Sequence, residues 1–295
     1  MDFPRGRGDK LFDKFNMVIF AGVVLAIMYP LYYIVIASFS NPDMVYAGKV
    51  WIWPVDATLE GYYRILNHTR IWLGYKNTVL YTVVGTTVNV ILTISGGYAL
   101  SRRDLPGVRF MMIAIVLTMF FGGGLIPTYM IVRSMGILDT MWAVIIPTAI
   151  SAYHIIVVRT FYRMTIPDAL HEAAVMDGCS DFRFLMRIAI PLSLPIIAVI
   201  ALFNAVGHWN QYFQSMIYLR NSQLHTLQLV LREILILEQA NEMAMDRFDE
   251  VGAVQRISDL IRYGSIVVSS LPMLILYPFL QKYFVKGVLI GSVKE

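Results

Sequence analysis

Six stretches of this chain are too long and too apolar to be stable in water. They run over about 17–39, 78–99, 110–132, 141–163, 189–209 and 263–284, and none contains an Asp or a Glu. A helix needs about 20 apolar residues to cross a hydrocarbon core. A carboxylate at mid-membrane costs about 2.5–3.5 kcal/mol, so the absence of acids in all six stretches supports their reading as spans. The expectation is an all-α polytopic membrane protein with six transmembrane helices. Composition agrees: 15% of the 295 residues are charged, where soluble domains run near a quarter.

The same numbers exclude other classes. The net charge of +4 is spread along the chain and forms no basic run, so nucleic acid is not an expected partner. A single cysteine, Cys179, leaves no intrachain disulfide and no cysteine metal cluster, and it reads as a small filler. The opening residues, MDFPRGRGDKLFDKFN, precede an apolar run too long for a signal-peptide core, so a retained first span is expected there.

Arginine and lysine placement orients the spans. Arg5, Arg7, Lys10 and Lys14 precede the first, and Arg102, Arg103 and Arg109 lie between the second and third. Arg159, Arg163, Arg183 and Arg187 flank the segment between the fourth and fifth, and Lys282, Lys286 and Lys294 follow. The alternate short loop, SMGILDT, has no basic residue. The positive-inside bias puts both termini in the cytoplasm: 1–16 before the spans, 285–295 after them, and 17–284 as the six-helix domain.

Segments 40–77 and 210–262 then face outward. The first carries Trp51, Trp53, Tyr62 and Tyr63, rings suited to a membrane surface. The second shows Leu227, Leu231, Ile234, Leu235 and Leu237 at helical spacing, which predicts an amphipathic helix on the outer face. Padding of the outer leaflet and docking of an external partner both fit these segments.

The cytoplasmic segment 164–188 is the most specific part of the chain. Pro167 suits a first helical turn, and Ala173 beside Ala174 thins one side of the following helix. Gly178 falls where a helix ends in a left-handed residue, and Ser180 can cap the next helix, DFRFLMRI. An ordinary headgroup-lying loop would explain the amphipathicity and the arginines. It would not explain a glycine corner between two capped helices, with Glu172 beside paired alanines, but spacing alone leaves both readings open.

The run EAAVMDG, then nine residues, then Ile188-Ala189-Ile190-Pro191, resembles the EAA signature of ABC importer membrane subunits, with Ile190 in place of the usual Leu. FFGGGLIPTYMIV, NSQLHTLQLVLREIL and SLPMLILYPFLQKYFVKGVLIGSVKE extend the resemblance to MalG-type carbohydrate permeases, in the branch that includes oligosaccharide and alginate importers. The resemblance implies the type I importer, MetI-like, fold in a bacterial inner membrane. It implies that Glu172, Ala173, Ala174, Asp177 and Gly178 form a coupling helix and corner seated on a cytoplasmic ATPase. It also implies a second permease, two ATPases that bind the ATP and magnesium, and an external solute-binding protein that delivers sugar.

Other residues fit a subunit driven from outside. No span holds a carboxylate for ion coupling, and the chain has no P-loop, HExxH, nucleophile elbow or metal-spaced histidine cluster. Gly122, Gly123 and Gly124 with Pro127 predict a kink or unwinding in the third span, through close packing or through bending around a cavity. Asn89, Tyr129, His154, Asn204, His208, Trp209 and Asn210 are the candidate substrate-path residues, because amides and aromatic faces match sugars. Interhelical hydrogen bonding explains the same polar residues. The expected function is the transport half of an ATP-driven saccharide importer, with no covalent catalysis. The rival readings are an importer for another solute, a self-sufficient channel or ion-coupled carrier, and a membrane enzyme.

Overall fold

A computed structural model describes residues 7–244, 261–275 and 278. In chain order its helices are α1 (Arg7–Ser38), α2 (Pro42–Tyr46), α3 (Glu60–Leu66), α4 (Thr69–Ser101) and α5 (Val108–Phe120). They continue with α6 (Leu125–Ser134), α7 (Met141–Ile145), α8 (Ala152–Thr165), α9 (Asp168–Met176) and α10 (Asp181–Phe184). The last are α11 (Ile190–Leu192), α12 (Leu194–Trp209), α13 (Phe213–Tyr218), α14 (Leu227–Ala244) and α15 (Ile261–Ile275). No strand occurs among the described residues.

Two of these helices, α1 and α4, are long and apolar enough to cross a membrane unaided. Three bent pairs raise the number to five: α5 with α6 at 118°, the Met141–Thr148 segment with α8 at 53°, and Asp181–Leu192 with α12 at 81°. The third, fourth and fifth expected spans are therefore broken. The sixth, expected at 263–284, begins in α15, and its residues 276–277 and 279–284 lie outside the described residues, as do 245–260 and the 285–295 tail.

Each break has a local cause. In the third span Gly124 holds φ 78 and ψ 176, a conformation open essentially to glycine alone. Pro127 falls in the first turn of α6, where its missing N–H is no loss, so the glycines and not the proline break the helix. Close packing through these glycines is not what holds them: a Cβ on Gly122 or Gly124 would meet nothing within 4 Å in this chain. The fourth span breaks at 149–151 after a 3₁₀ turn, and Ser151 caps the restart by accepting from the His154 N–H. The fifth breaks at Ser193, between Pro191 and Pro195, after a π-helical turn at Leu185–Ala189.

The described residues fall into two compact units, one within Met1–His68 and Glu233–Leu271, the other within Thr69–Arg232 and Pro272–Glu295. In the first unit α1 is apolar and exposed along most of its length. Trp51, Trp53 and Tyr63 are exposed, as an interfacial placement requires. Tyr62 differs: its ring stacks on Phe39 at 4.9 Å and its hydroxyl lies 2.7 Å from the Ser38 hydroxyl.

The second unit is built on α4, which at 33 residues is about 50 Å long and exceeds the expected 78–99 span. Helices α8 and α12 pack against it, and glycines at near-helical repeats admit its neighbours. A Cβ on Gly97 would stand 2.5 Å from Val158 of α8, and one on Gly85 would stand 2.5 Å from the His208 ring of α12. A Cβ on Gly74 would meet the Leu227 backbone at 3.0 Å. The first turn of α14 is consequently core: Leu227, Leu229, Val230 and Leu231 are all buried. Leu227 N–H donates to the Thr78 hydroxyl at 2.8 Å. An amphipathic helix resting on a membrane surface does not describe this end of α14.

Candidate functional site

The elbow at 167–184 is two short helices around a fixed corner. Pro167 stands at the N-cap of α9, immediately before its first residue, with Asp168 in the acid-favouring first turn. At the other end Asp177 is the C-cap and Gly178 holds φ +73. Gly178 N–H donates to the Val175 carbonyl and Cys179 N–H to the Ala174 carbonyl, both at 2.9 Å. This is the Schellman arrangement, which satisfies the orphan carbonyls of the last turn. Ser180 then caps α10 through the Arg183 N–H at 3.4 Å.

The paired alanines do different work. Ala174 is buried in a cluster with Tyr98, Tyr162, Phe184 and Leu185, and Cys179 packs on the same cluster. Ala173 is exposed, as are Glu172, Val175, Met176, Asp177 and Gly178. The expected thin side formed by both alanines is thus divided, because adjacent helical residues point about 100° apart. The outward face offers Glu172, which forms no ion pair with the described residues, beside Met176 at 88% exposure. An unpaired carboxylate next to exposed apolar side chains is a surface suited to a basic, partly apolar groove.

What holds the elbow was not legible from the spacings. Arg102, at the end of α4, reaches Asp104 at 2.7 Å and Asp181 of α10 at 3.1 Å. Asp181 also lies 3.1 Å from His171 Nε2, and Arg103 lies 3.2 Å from Asp168 at the start of α9. The His171 ring meets Phe184 edge-on at 4.9 Å. The Arg102 hydrogen bond holds the Asp104 carboxyl at about 2, well below its ordinary value, and Asp104 in turn raises the guanidinium. Two arginines of α8 complete the joint: Arg159 Nε donates to the Leu100 carbonyl at 2.9 Å and Arg163 Nε to the Ser101 carbonyl at 3.2 Å. Arginines read from sequence as topology signals therefore tie α4, α8, α9 and α10 together. The i, i+4 spacing of Arg159 and Arg163 was the available signal.

The candidate path residues occupy another part of the same unit. Asn89 Nδ2 donates to Asn204 Oδ1 at 2.7 Å and to the Thr148 carbonyl at 3.1 Å, while Asn204 Nδ2 donates to the Ile200 carbonyl at 2.8 Å. His208 Nδ1 lies 3.2 Å from Gln211 Oε1, and Gln211 Nε2 donates to the Val144 carbonyl at 3.1 Å. Trp209 is buried with its ring 6.0 Å from Tyr75. Tyr129 stacks on Tyr218 at 6.2 Å, His154 lies 6.1 Å from the Phe203 ring, and exposed Asn210 donates to the Val206 carbonyl at 3.0 Å. Most of these amides thus knit helices together. The buried atoms Asn89 Oδ1, His154 Nδ1 and His208 Nε2 make no hydrogen bond with the described residues.

With this geometry in hand, comparison with known proteins defines the class. Residues 3–227 match the family described as binding-protein-dependent transport system inner membrane component. The chain is 38% identical to the polygalacturonan/rhamnogalacturonan transport system permease protein YtcP of Bacillus subtilis (strain 168), covering 97% of this chain and 99% of that one. It is 36% identical to Protein LplC of the same organism, over 98% of this chain and 96% of that one. It also superposes on a chain of a bacterial ABC transporter involved in import of the acidic polysaccharide alginate, with TM-score 0.85 and 33% identity, over 96% of this chain and 100% of that chain.

The chain belongs to the binding-protein-dependent transport system inner membrane component family. It is a permease subunit of an ABC importer with the MetI-like fold, a transport component and not an enzyme.

Proposed function

We propose that this permease forms half of the translocation path for an oligo- or polysaccharide and couples ATP hydrolysis on partner subunits to alternating access. The observation that carries the saccharide reading is its similarity, along nearly the whole chain, to permeases of polygalacturonan/rhamnogalacturonan and alginate importers. In this reading both termini are cytoplasmic. A second permease completes the path, two ATPases bind ATP and magnesium, and an external solute-binding protein delivers the sugar. Supporting the coupling role, Glu172, Ala173, Asp177 and Gly178 form the exposed side of a rigid corner, and Ala174 fastens that corner to the helices behind it.

The mechanism follows from the joint. Closure of an ATPase pair would draw the elbow along. The ion pairs to Arg102 and Arg103, with the aromatic packing behind Ala174, would pass that displacement to α4 and α8 as rigid bodies. A ligand shifts such an equilibrium only by its differential contacts with the two states, and the docked elbow supplies them. Asn89, Tyr129, His154, Asn204, His208, Trp209 and Asn210 remain the proposed path residues. The unsatisfied buried atoms on Asn89, His154 and His208 support that role.

Reconstitution tests the reading. Vesicles holding both permeases, the ATPases and the binding protein should take up oligogalacturonide or alginate fragments only with MgATP, and the permease alone should move nothing. Uptake without ATPase subunits, or ATP-driven uptake confined to a non-saccharide solute, would overturn it.

A further inference from the structure

Beside the elbow, a groove of about 960 Å³ opens between α5 and α8. Arg102, Arg103, Arg109, Arg159 and Arg163 line its mouth, and its wall along α5 is apolar, including Ile113, Val116 and Leu117. Two of the arginines have carboxylate partners, Arg102 with Asp104 and Asp181, and Arg103 with Asp168. The other three have none among the described residues. Arg159 and Arg163 each spend only Nε, on the last carbonyls of α4. The end of that helix offsets roughly half an elementary charge. Three guanidiniums without a carboxylate partner among the described residues thus line one mouth, and no Asp or Glu lines it with them.

The wall below them settles what kind of anion fits. From Arg109 to Leu117 α5 runs eight residues, about 12 Å, which is close to the depth of one leaflet of a hydrocarbon core about 30 Å thick. None of α5 is buried in this chain, and Ile113 and Leu117 are about half exposed. A saccharide would need hydroxyl-matching groups along that wall, and Ile113, Val116 and Leu117 provide none. A phosphate head on an acyl chain matches both halves: anion at the arginines, hydrocarbon along α5.

We propose that this groove is a binding site for an anionic phospholipid of the leaflet on the elbow side. Its head bridges Arg109, Arg159 and Arg163, and so lies against the joint between α4 and α8. Basic pockets between spans at a membrane face are the general setting for such recognition.

The test uses the complete importer, purified from vesicles of equal phosphatidylglycerol and phosphatidylcholine and washed in detergent, with retained lipid measured by mass spectrometry. Phosphatidylglycerol should be enriched, and Arg109→Gln, which removes no internal bond, should reduce the enrichment about fivefold, the worth of one basic residue at an anionic surface. Ile113→Trp should lower retention of both lipids by filling the groove. A photoreactive-tailed phosphatidylglycerol should label the 110–120 peptide. Equal retention of the two lipids, an enrichment unchanged in Arg109→Gln, or no labelling of that peptide because the second permease covers it would overturn the proposal. So would displacement of the label by an acidic oligosaccharide. Because retention is read without transport, these outcomes are separate from failure of the saccharide reading.

Discussion

The guanidinium of Arg102 lies 3.1 Å from the carboxylate of Asp181, joining the end of a 33-residue helix to the first turn of the second elbow helix. The Arg102 side chain is 18% exposed and that of Asp181 70%, so solvent still screens the pair from its carboxylate side. It gives the elbow a direct handle on α4, around which the second unit is packed.

Replacing that handle should separate hydrolysis from transport. Arg102→Ala breaks two pairs worth up to about 1 kcal/mol each, so coupled uptake in vesicles should fall roughly fivefold or more while ATP hydrolysis continues. Uptake and hydrolysis falling in parallel would point to lost assembly instead.

The corner residue makes a sharper prediction. Gly178 sits at φ +73, where a residue with a Cβ loses about 1–2 kcal/mol. Gly178→Val should uncouple uptake, and Gly178→Asn, which tolerates the left-handed region, should recover part of it. If valine and asparagine behave alike, the conformation is not what matters.

Two glycine substitutions test the packing of α4 against the free backbone of the third span. Gly97→Ala must push Val158 from a 2.5 Å overlap, which overpacking data place at about 1–3 kcal/mol. Gly122→Ala meets nothing within 4 Å. A thermal unfolding midpoint lowered by the first and not by the second is the expected outcome.

The elbow should also loosen in acid. Asp104 is held at about 2 by Arg102, below the ordinary aspartate value near 3.9. Its contribution is therefore complete above about pH 4 and is lost as pH falls toward 2. Away from the elbow, the Asp139 carboxylate accepts from the Asn221 and Arg220 backbone N–H groups, which lower it in the same direction, so those bonds weaken on the same acid side. Amide exchange across 168–184 should rise over that window in the native chain, and Asp104→Asn should remove the part of the rise due to Arg102.

The elbow separates what was legible from what was not. The Gly178 corner and Ser180 cap were readable because capping depends on residues within one helical turn. The choice between N-cap and N1 for Pro167 is not readable, because the two differ in backbone angles that the residue type alone does not set. The Arg102–Asp181 pair joins residues 79 apart in the chain, and no local pattern brings them together.

What the sequence determined by itself was the solvent. Apolar runs without carboxylates require a bilayer, and the resemblance of EAAVMDG to the EAA signature carries the proposal of where an outside drive would enter. The tertiary structure alone decided which glycines admit neighbouring helices, which alanine of the pair turns inward, and which amides are spent on other helices. The physical reason is reach. Transfer from water to lipid and helix capping act on a residue and its near neighbours, whereas packing and ion pairing depend on distances that exist only once the chain has folded.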